Sequence, residues 1–113
     1  MKNTHMGKHL LVQVYDVPFK KLNDPLKIAN MMVAAVKKEN IKLLNTFVHQ
    51  FKPCGVSCVL ALAESHASCH TWPEKNSAAI DIFTCGDTNP KKVVQHILDH
   101  FDSDNIVMDE LSR

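Results

Sequence analysis

The composition is that of one folded domain. The chain has 113 residues, of which 45% are hydrophobic and 22% charged, with three glycines and five prolines. These values exclude a disordered, collagen-like or low-complexity chain. Thirteen basic and twelve acidic residues give a net charge of +1, so we expect no basic surface for nucleic acid.

The start of the chain and its cysteines indicate the compartment. No secretory signal pattern precedes the first apolar run at Leu10, and the longest apolar stretch, residues 56–63, is far shorter than the ~20 residues of a membrane span. We therefore expect a cytoplasmic protein without a membrane partner. In that compartment the four cysteines are expected to be reduced thiols.

The first half of the chain predicts a strand, a helix and a strand. Residues 8–14 are apolar and β-branched, which is typical of a strand. Asp24 followed by Pro25 predicts the start of a helix, because Asp is a good N-cap and Pro is favoured at the first helical position. Apolar residues then follow at helical spacing up to Lys37 and Lys38, where cations favour a helix end. Residues 41–51 indicate a second strand.

The second half predicts further strands around one more helix. The nearly continuous apolar run 56–63 indicates a strand buried on both faces. Residues 69–72 and 78–84 indicate a short extended piece and a longer strand. Asn89 and Pro90 predict a helix start, and residues 105–108 a last short strand, followed by a polar tail.

This order, β-α-β-β-β-α-β, predicts an α+β fold in a single domain, residues 1–113. The economical packing is a two-layer sandwich of a mostly antiparallel sheet with two helices on one face. A chain of this length has no third layer for the opposite sheet face. Self-association through that face is therefore expected.

Reactive side chains are concentrated in residues 54–86. Ser, His, Cys, Glu and Trp lie there between two apolar strands, where unpartnered polar groups are costly. Ser57 and Ser65 are eight residues apart in one extended run, and this even spacing places both on the same face of a strand. The G-x-S-x-G elbow of hydrolases is absent, and no C-x-x-C or H-E-x-x-H spacing indicates a metal. The residues alone predict a polar cluster at a strand end and leave catalysis open.

The same segment resembles the prokaryotic S-adenosylmethionine decarboxylases, the pyruvoyl-dependent enzymes of spermidine synthesis. The likeness extends over nearly the whole chain and includes the opening Gly7-Lys8-His9. Its most specific pieces are Gly55-Val56-Ser57, Ala63-Glu64-Ser65-His66, His70-Thr71-Trp72-Pro73-Glu74, Ala78-Ala79-Ile80-Asp81 and Phe83-Thr84-Cys85-Gly86.

The resemblance implies a proenzyme that cleaves itself between Glu64 and Ser65. The products would be a β chain, residues 1–64, and an α chain, residues 65–113, whose first residue becomes a covalent pyruvoyl group made from Ser65. By the same resemblance, Ser57 and His70 assist the cleavage, the hydroxyl at the oxyanion and the imidazole as proton carrier. His66 is expected to shape the cleavage turn.

The implied activity is that of a carboxy-lyase acting on S-adenosylmethionine, whose product is the aminopropyl donor for spermidine. The substrate amine would form a Schiff base with the pyruvoyl ketone, and Cys85 would donate the proton to the substrate. Phe51 and Trp72 would hold the nucleoside and Glu74 the ribose. The family commonly builds this site across a dimer interface, which implies a homodimer of processed protomers.

Two other functions remain open. The first is a related pyruvoyl-dependent arginine or ornithine decarboxylase. The second is an uncleaved homologue that acts as a non-enzymatic binding or regulatory subunit. No metal ligand is predicted. Cys54, Cys58 and Cys69 are interpreted as small hydrophobic residues, and His9 as a surface or packing residue.

Overall fold

The computed structural model describes residues 5–86 and 88–113, which form one six-stranded sheet with helices on one side. The helices are α1 (Phe19–Leu22), α2 (Pro25–Lys38) and α3 (Pro90–Phe101), with one 3-10 turn at Pro73–Lys75. The strands are β1 (Gly7–Val14), β2 (Leu43–Gln50), β3 (Val56–Leu62), β4 (Ser65–Trp72), β5 (Ser77–Cys85) and β6 (Ile106–Ser112). Their order is β2-β3-β4-β5-β1-β6, and every neighbouring pair is antiparallel. The predicted α+β sandwich is confirmed.

Both long helices begin where the sequence predicts. The Asp24 side chain accepts a hydrogen bond from the Lys27 amide, and the Asn89 side chain accepts one from the Lys91 amide. Each capping residue is followed by proline, whose missing N–H needs no partner in the first turn. The helix α1 and the 3-10 turn were not predicted, because elements of four and three residues hold too few positions to show a periodicity. No helix in the described ranges is long and apolar enough to cross a bilayer.

The core lies between the helices and one sheet face. Alternate residues of the strands point towards the helices, because successive side chains of a strand alternate between its two faces. Full burial of such a side chain contributes about 1.5–3 kcal/mol relative to exposure. The largest fully buried side chains are Leu10, Val12, Val14, Val17, Leu22, Ile28, Met32, Val36, Leu60, Ile82, Ile97 and Phe101. We call the opposite sheet face, on which the described residues place no helix, the outer face.

The strand β3 differs from its prediction. Its residues alternate between buried and accessible, and Val59 on the outer face is 38% exposed, so the prediction of burial on both faces is wrong. The run is continuously apolar although only one of its faces is covered within one chain. The strands β4 and β6 are also longer than predicted, because pairing with β5 and β1 extends them through polar residues.

The chain reverses at residues 63–64, which form the turn between β3 and β4. Ser57 lies opposite His70 in this hairpin, and Ser65 lies opposite the buried Leu62. Ser57 and Ser65 therefore belong to different strands and different faces, and the same-face prediction is wrong. It assumed an uninterrupted strand, because no Gly, Asn or Pro marks a turn there. Glu64 makes the turn itself, with φ of +58°.

Gly7 marks a close approach between β1 and β5. It lies opposite Cys85, and a Cβ atom at Gly7 would lie 1.9 Å from the Thr84 carbonyl oxygen. We expect Gly7→Ala to lower the free energy of unfolding by about 1–3 kcal/mol, because the backbones must move apart. Urea unfolding measures this, with the exposed neighbour substitution Lys8→Ala as control. Equal stability of the two variants would contradict the close approach.

Candidate active site

A pocket opens at one end of β3 and β4. Its cavity volume is about 300 Å³, and its wall includes the turn between β2 and β3. Ser57 and His70 face each other across the two strands, with 2.7 Å between Ser57 Oγ and His70 Nδ1. The side chains that line the pocket are Phe51, Cys54, Ser57, His70, Thr71, Trp72 and Glu74. The sequence-predicted pair of processing residues and the predicted substrate-binding residues thus share one pocket.

The aromatic residues of the pocket are accessible. Phe51 is 47% exposed and Trp72 41% exposed, so neither belongs to the core. Both are available to stack on a planar ligand. Glu74 sits on the 3-10 turn that follows Trp72, where its carboxylate reaches the same cavity.

Cys54 lies beside Glu74 in the pocket wall. Its thiol donates to Glu74 Oε1 at an S···O distance of 3.6 Å, and its side chain is only partly covered. Partial desolvation and the Glu74 carboxylate raise the pKa of this thiol, so it is protonated at neutral pH. The interpretation of Cys54 as a buried hydrophobic residue is wrong. The same interpretation is confirmed for Cys58 and Cys69, which lie opposite each other in the core. Burial raises the pKa of both thiols.

Polar residues outside the predicted set hold the pocket in shape. Asn23 Oδ1 accepts hydrogen bonds from the Gly55 amide and from Gln50 Nε2, each at 2.9 Å. The buried Thr71 hydroxyl donates to the Leu22 carbonyl at 2.8 Å. These bonds join the region between α1 and α2 to the turn before β3 and to β4. Asn23 and Gln50 could not be found from the sequence, because their partners are distant along the chain or belong to a turn without a recognisable motif.

A second group of predicted residues surrounds the turn between β3 and β4. Cys85, at the end of β5, donates its thiol hydrogen to the Glu64 carbonyl oxygen at 2.7 Å. That carbonyl belongs to the peptide bond between Glu64 and Ser65. Glu64 has a left-handed backbone conformation, which costs a non-glycine residue about 1–2 kcal/mol. The predicted cleavage bond therefore lies in a strained turn with a thiol on its carbonyl.

The two groups lie at opposite ends of β4. Ser65 is its first residue, and His70 comes five positions later. At about 3.3 Å per residue, their backbones are about 16 Å apart. One chain therefore brings Ser57 and His70 together but does not bring them to Ser65.

A third polar cluster occupies the outer face between β1, β4 and β5. The Asp81 Oδ2 atom accepts hydrogen bonds from His9 Nε2 at 2.6 Å and from His66 Nε2 at 3.3 Å, and Ser68 donates to Asp81 Oδ1. His9 was predicted to be a packing or surface residue, which leaves out this contact. Three strands contribute to the cluster, so no local spacing could reveal it.

This cluster is also the place in the described residues where metal-ligand atoms converge. The ligand atoms of His9, His66 and Asp81 all lie within 4.8 Å of one another. Two ligands of a tetrahedral zinc ion with bonds of about 2.0–2.1 Å would be about 3.3 Å apart. The 2.6 Å between His9 Nε2 and Asp81 Oδ2 is instead the distance of a hydrogen bond. The two atoms are therefore joined by a proton and are too close together to be two ligands of one zinc ion.

Comparison with known proteins places the chain in a family. The family model described as S-adenosylmethionine decarboxylase matches residues 8–113. A curated S-adenosylmethionine decarboxylase proenzyme of Synechococcus sp. (strain WH7803) is 44% identical over 101 residues, which are 88% of this chain and 79% of that protein. The chain therefore belongs to the S-adenosylmethionine decarboxylase family.

A second curated relative and two solved structures are also similar to this chain. The S-adenosylmethionine decarboxylase proenzyme of Pyrococcus abyssi (strain GE5 / Orsay) is 38% identical over 109 residues, covering 96% of this chain and 78% of that one. The crystal structure of the adenosylmethionine decarboxylase from Aquifex aeolicus VF5 superposes with a TM-score of 0.92 at 30% identity, over 98% of this chain and 92% of that chain. A Trypanosoma brucei AdoMetDC structure, with a TM-score of 0.64 and 18% identity, shares the fold over 89% of this chain and 44% of its own.

Asp81 should make stability depend on pH at the acidic end. Burial would raise the pKa of this carboxyl group, but hydrogen bonds from Ser68 and His9 and the nearby His66 outweigh it and lower the pKa. A lowered folded-state pKa adds stability above the unfolded-state value of about 3.9, and this stability disappears as the pH falls through the folded-state pKa.

We therefore expect Asp81→Asn to cost about 2 kcal/mol at pH 7, which is typical of hydrogen bonds to a charged group. The difference in the free energy of unfolding between the variant and the unsubstituted protein should shrink as the pH falls below about 4, because both proteins then lack the charge at position 81. Urea unfolding at several pH values measures it. Asp109→Asn is the matched control, because Asp109 flanks Leu11 on the other side but is exposed. A difference that stays constant down to pH 2 would contradict the assignment.

Proposed function

We propose that the chain is a self-processing S-adenosylmethionine decarboxylase whose pyruvoyl group forms from Ser65. The observation that carries the proposal is the contact of the Cys85 thiol with the Glu64 carbonyl at the turn before Ser65. It puts a proton donor on the bond that must break. The chain belongs to the S-adenosylmethionine decarboxylase family, and this membership indicates which reaction the arrangement would serve.

The first reaction would be cleavage. The Ser65 hydroxyl oxygen attacks the Glu64 carbonyl carbon, and the amide becomes an ester as the nitrogen leaves. Elimination then releases the Glu64 carboxylate and leaves dehydroalanine at position 65, which water converts to a pyruvoyl group with loss of ammonia. The positive φ of Glu64 raises the energy of the starting peptide, and the Cys85 thiol can stabilise charge that develops on the carbonyl oxygen.

The second reaction would be decarboxylation. The ketone of the pyruvoyl group supplies an electron sink for the electrons released as carbon dioxide leaves. Cys85 is next to the peptide bond of residue 65, so its thiol is within reach of a substrate held there. Its role would be to protonate the substrate carbon.

The pocket chemistry favours S-adenosylmethionine as substrate. The accessible faces of Phe51 and Trp72 can stack on adenine and attract the sulfonium cation. The Glu74 carboxylate can accept hydrogen bonds from a ribose diol. Arginine and ornithine lack the adenine ring and the ribose diol that these groups suit, and the named relatives do not favour these substrates. An uncleaved binding subunit would need neither the Ser65 hydroxyl nor the Cys85 thiol.

Ser65 and His70 are about 16 Å apart along β4, so a complete site requires a second copy of the chain. Catalysis requires reacting groups about 3 Å apart. Two chains that pack through their outer faces with opposite strand directions would place Ser57 and His70 of one chain near Cys85 and the turn at Glu64 and Ser65 of the other. Apolar side chains exposed on this face, which a partner would cover, are Phe47, Val59, Val107 and Leu111.

Ser65→Ala tests the reaction itself. The variant should remain one uncut chain, and its release of carbon dioxide from S-adenosylmethionine should be at least about a thousandfold lower, because the nucleophile is gone. Intact mass and carbon dioxide release measure both. Ser112→Ala, an exposed serine on β6, serves as the control that should be cut and active. Efficient cleavage of Ser65→Ala, or faster turnover of arginine or ornithine by the parent protein, would refute the proposal.

The shared site can be tested by mixing two inactive variants. Chains carrying Ser65→Ala and chains carrying His70→Ala, with different tags, are co-expressed and the mixed dimer is purified. Its one intact site combines Ser65 of the second chain with His70 of the first. We expect cleavage of the His70→Ala chain alone and about half the activity of the parent dimer.

The two homodimers provide the comparison. The Ser65→Ala dimer should stay uncut, and the His70→Ala dimer should be cut about 10²–10⁴-fold more slowly, since a proton carrier is missing. If the mixed dimer is no more active than these, each site is built from one chain.

A further inference from the structure

The polar cluster on the outer face has no part in the reactions above, yet one of its members, His66, is the second residue after the cleavage bond. We propose that Asp81 is a positioning residue that anchors the chain end created by cleavage, through the imidazole of His66. This inference rests on the proposed function, because it requires a cut before residue 65. The anchor acts on the first complete residue of the new α chain.

Asp81 is itself held firmly. Its Oδ2 atom accepts from His9 at 2.6 Å, and Ser68 donates to its Oδ1 atom. The side chain of Asp81 is 24% exposed and that of His9 14% exposed, so both lie largely within the sheet face. A carboxylate with hydrogen bonds to two neighbouring strands is a rigid point of attachment.

Further contacts fix His9. Its Nδ1 atom lies 3.2 Å from the Arg113 guanidinium, which can only donate, so Nε2 carries the proton that His9 donates to Asp81. The same guanidinium lies over the Phe83 ring, 4.8 Å from its centroid. The remaining acceptor capacity of Asp81 Oδ2 is directed to His66 Nε2 at 3.3 Å.

Cleavage changes how much this contact matters. In the uncut chain, His66 is held from its N-terminal side by the covalent turn through Glu64. After the cut, residue 65 is a chain terminus, and ends of strands fray unless something holds them. His66 pairs with Ala61 on β3 and Phe83 on β5, and its ring contact with Asp81 adds a side-chain bond at this position.

The position of residue 65 relative to Cys85 would decide the product. A displacement of about 1 Å can cost about 10²-fold in rate. If the proton goes to the carbon of residue 65 instead of the substrate carbon, hydrolysis leaves alanine at position 65 and releases an aldehyde. The substrate nitrogen then stays on the protein, and that chain is inactive. A secured chain end therefore protects both rate and lifetime.

The first test is amide hydrogen exchange at residues 66–68, because residue 65 has no amide once it is a pyruvoyl group, in the cut protein and in the uncut Ser65→Ala background. In the cut protein, Asp81→Asn should speed exchange about tenfold, because loss of the anchor releases the end. In the uncut background the same substitution should change exchange by less than about twofold. Asp109→Asn, on the same face, should match the unsubstituted protein in both forms.

The second test is a count of turnovers. Asp81→Asn should lower kcat and raise several-fold the fraction of α chains that carry alanine at position 65 after a fixed number of turnovers, with KM unchanged. Intact mass of the α chain gives that fraction. His66→Asn removes the other end of the contact and should have the same effect, and the double variant should be no worse than either single one. His66→Asn also serves as the test variant if the Asp81→Asn chain does not fold.

The outcomes separate the two proposals. A parent protein that is never cut overturns the proposed function and the anchor together. A parent that is cut and active, with unchanged exchange and alanine fraction in Asp81→Asn and His66→Asn, overturns the anchor alone. Equal acceleration of exchange in cut and uncut chains makes Asp81 a general structural residue and also overturns it, as does an Asp81→Asn chain that folds but stays uncut.

Discussion

The helices cover only one face of the sheet, and this constraint leaves most polar side chains of the candidate site accessible on the other face. Antiparallel strands send alternate side chains to each face, so the helices bury one set and leave the other accessible. Ser57, His70 and Asp81 all fall in the accessible set. The core therefore stabilises the sheet without containing the chemistry, and the outer face is available for a ligand and a second chain.

The turn between β3 and β4 holds the peptide bond at which cleavage is proposed. A two-residue reversal leaves Glu64 with a positive φ, and the register of β4 on β5 brings Cys85 to its carbonyl. Strain and hydrogen bonding thus meet at one peptide bond. Neither would arise in an uninterrupted strand, where the peptide would be extended and its carbonyl would bond to a neighbouring backbone.

Much of the fold could be predicted because its signals are local. Asp24-Pro25 and Asn89-Pro90 mark both long helices, and alternating or apolar runs mark the strands. The turn at Glu64 could not be predicted, since its conformation is imposed by the pairing of two strands and not by a turn residue. Within the candidate site, the motif residues were found by resemblance. Asn23 and the contact of His9 with Asp81 were not, because they join segments far apart in sequence.

The distance between the two halves of the predicted machinery bears on when a chain can mature. A solitary newly synthesised chain holds Ser65 at one end of β4 and His70 at the other, out of reach of each other. If the partner must supply the missing half, activation is second order in chain concentration. Scarce protein would then persist as a dormant precursor, and abundance itself would act as the trigger for conversion.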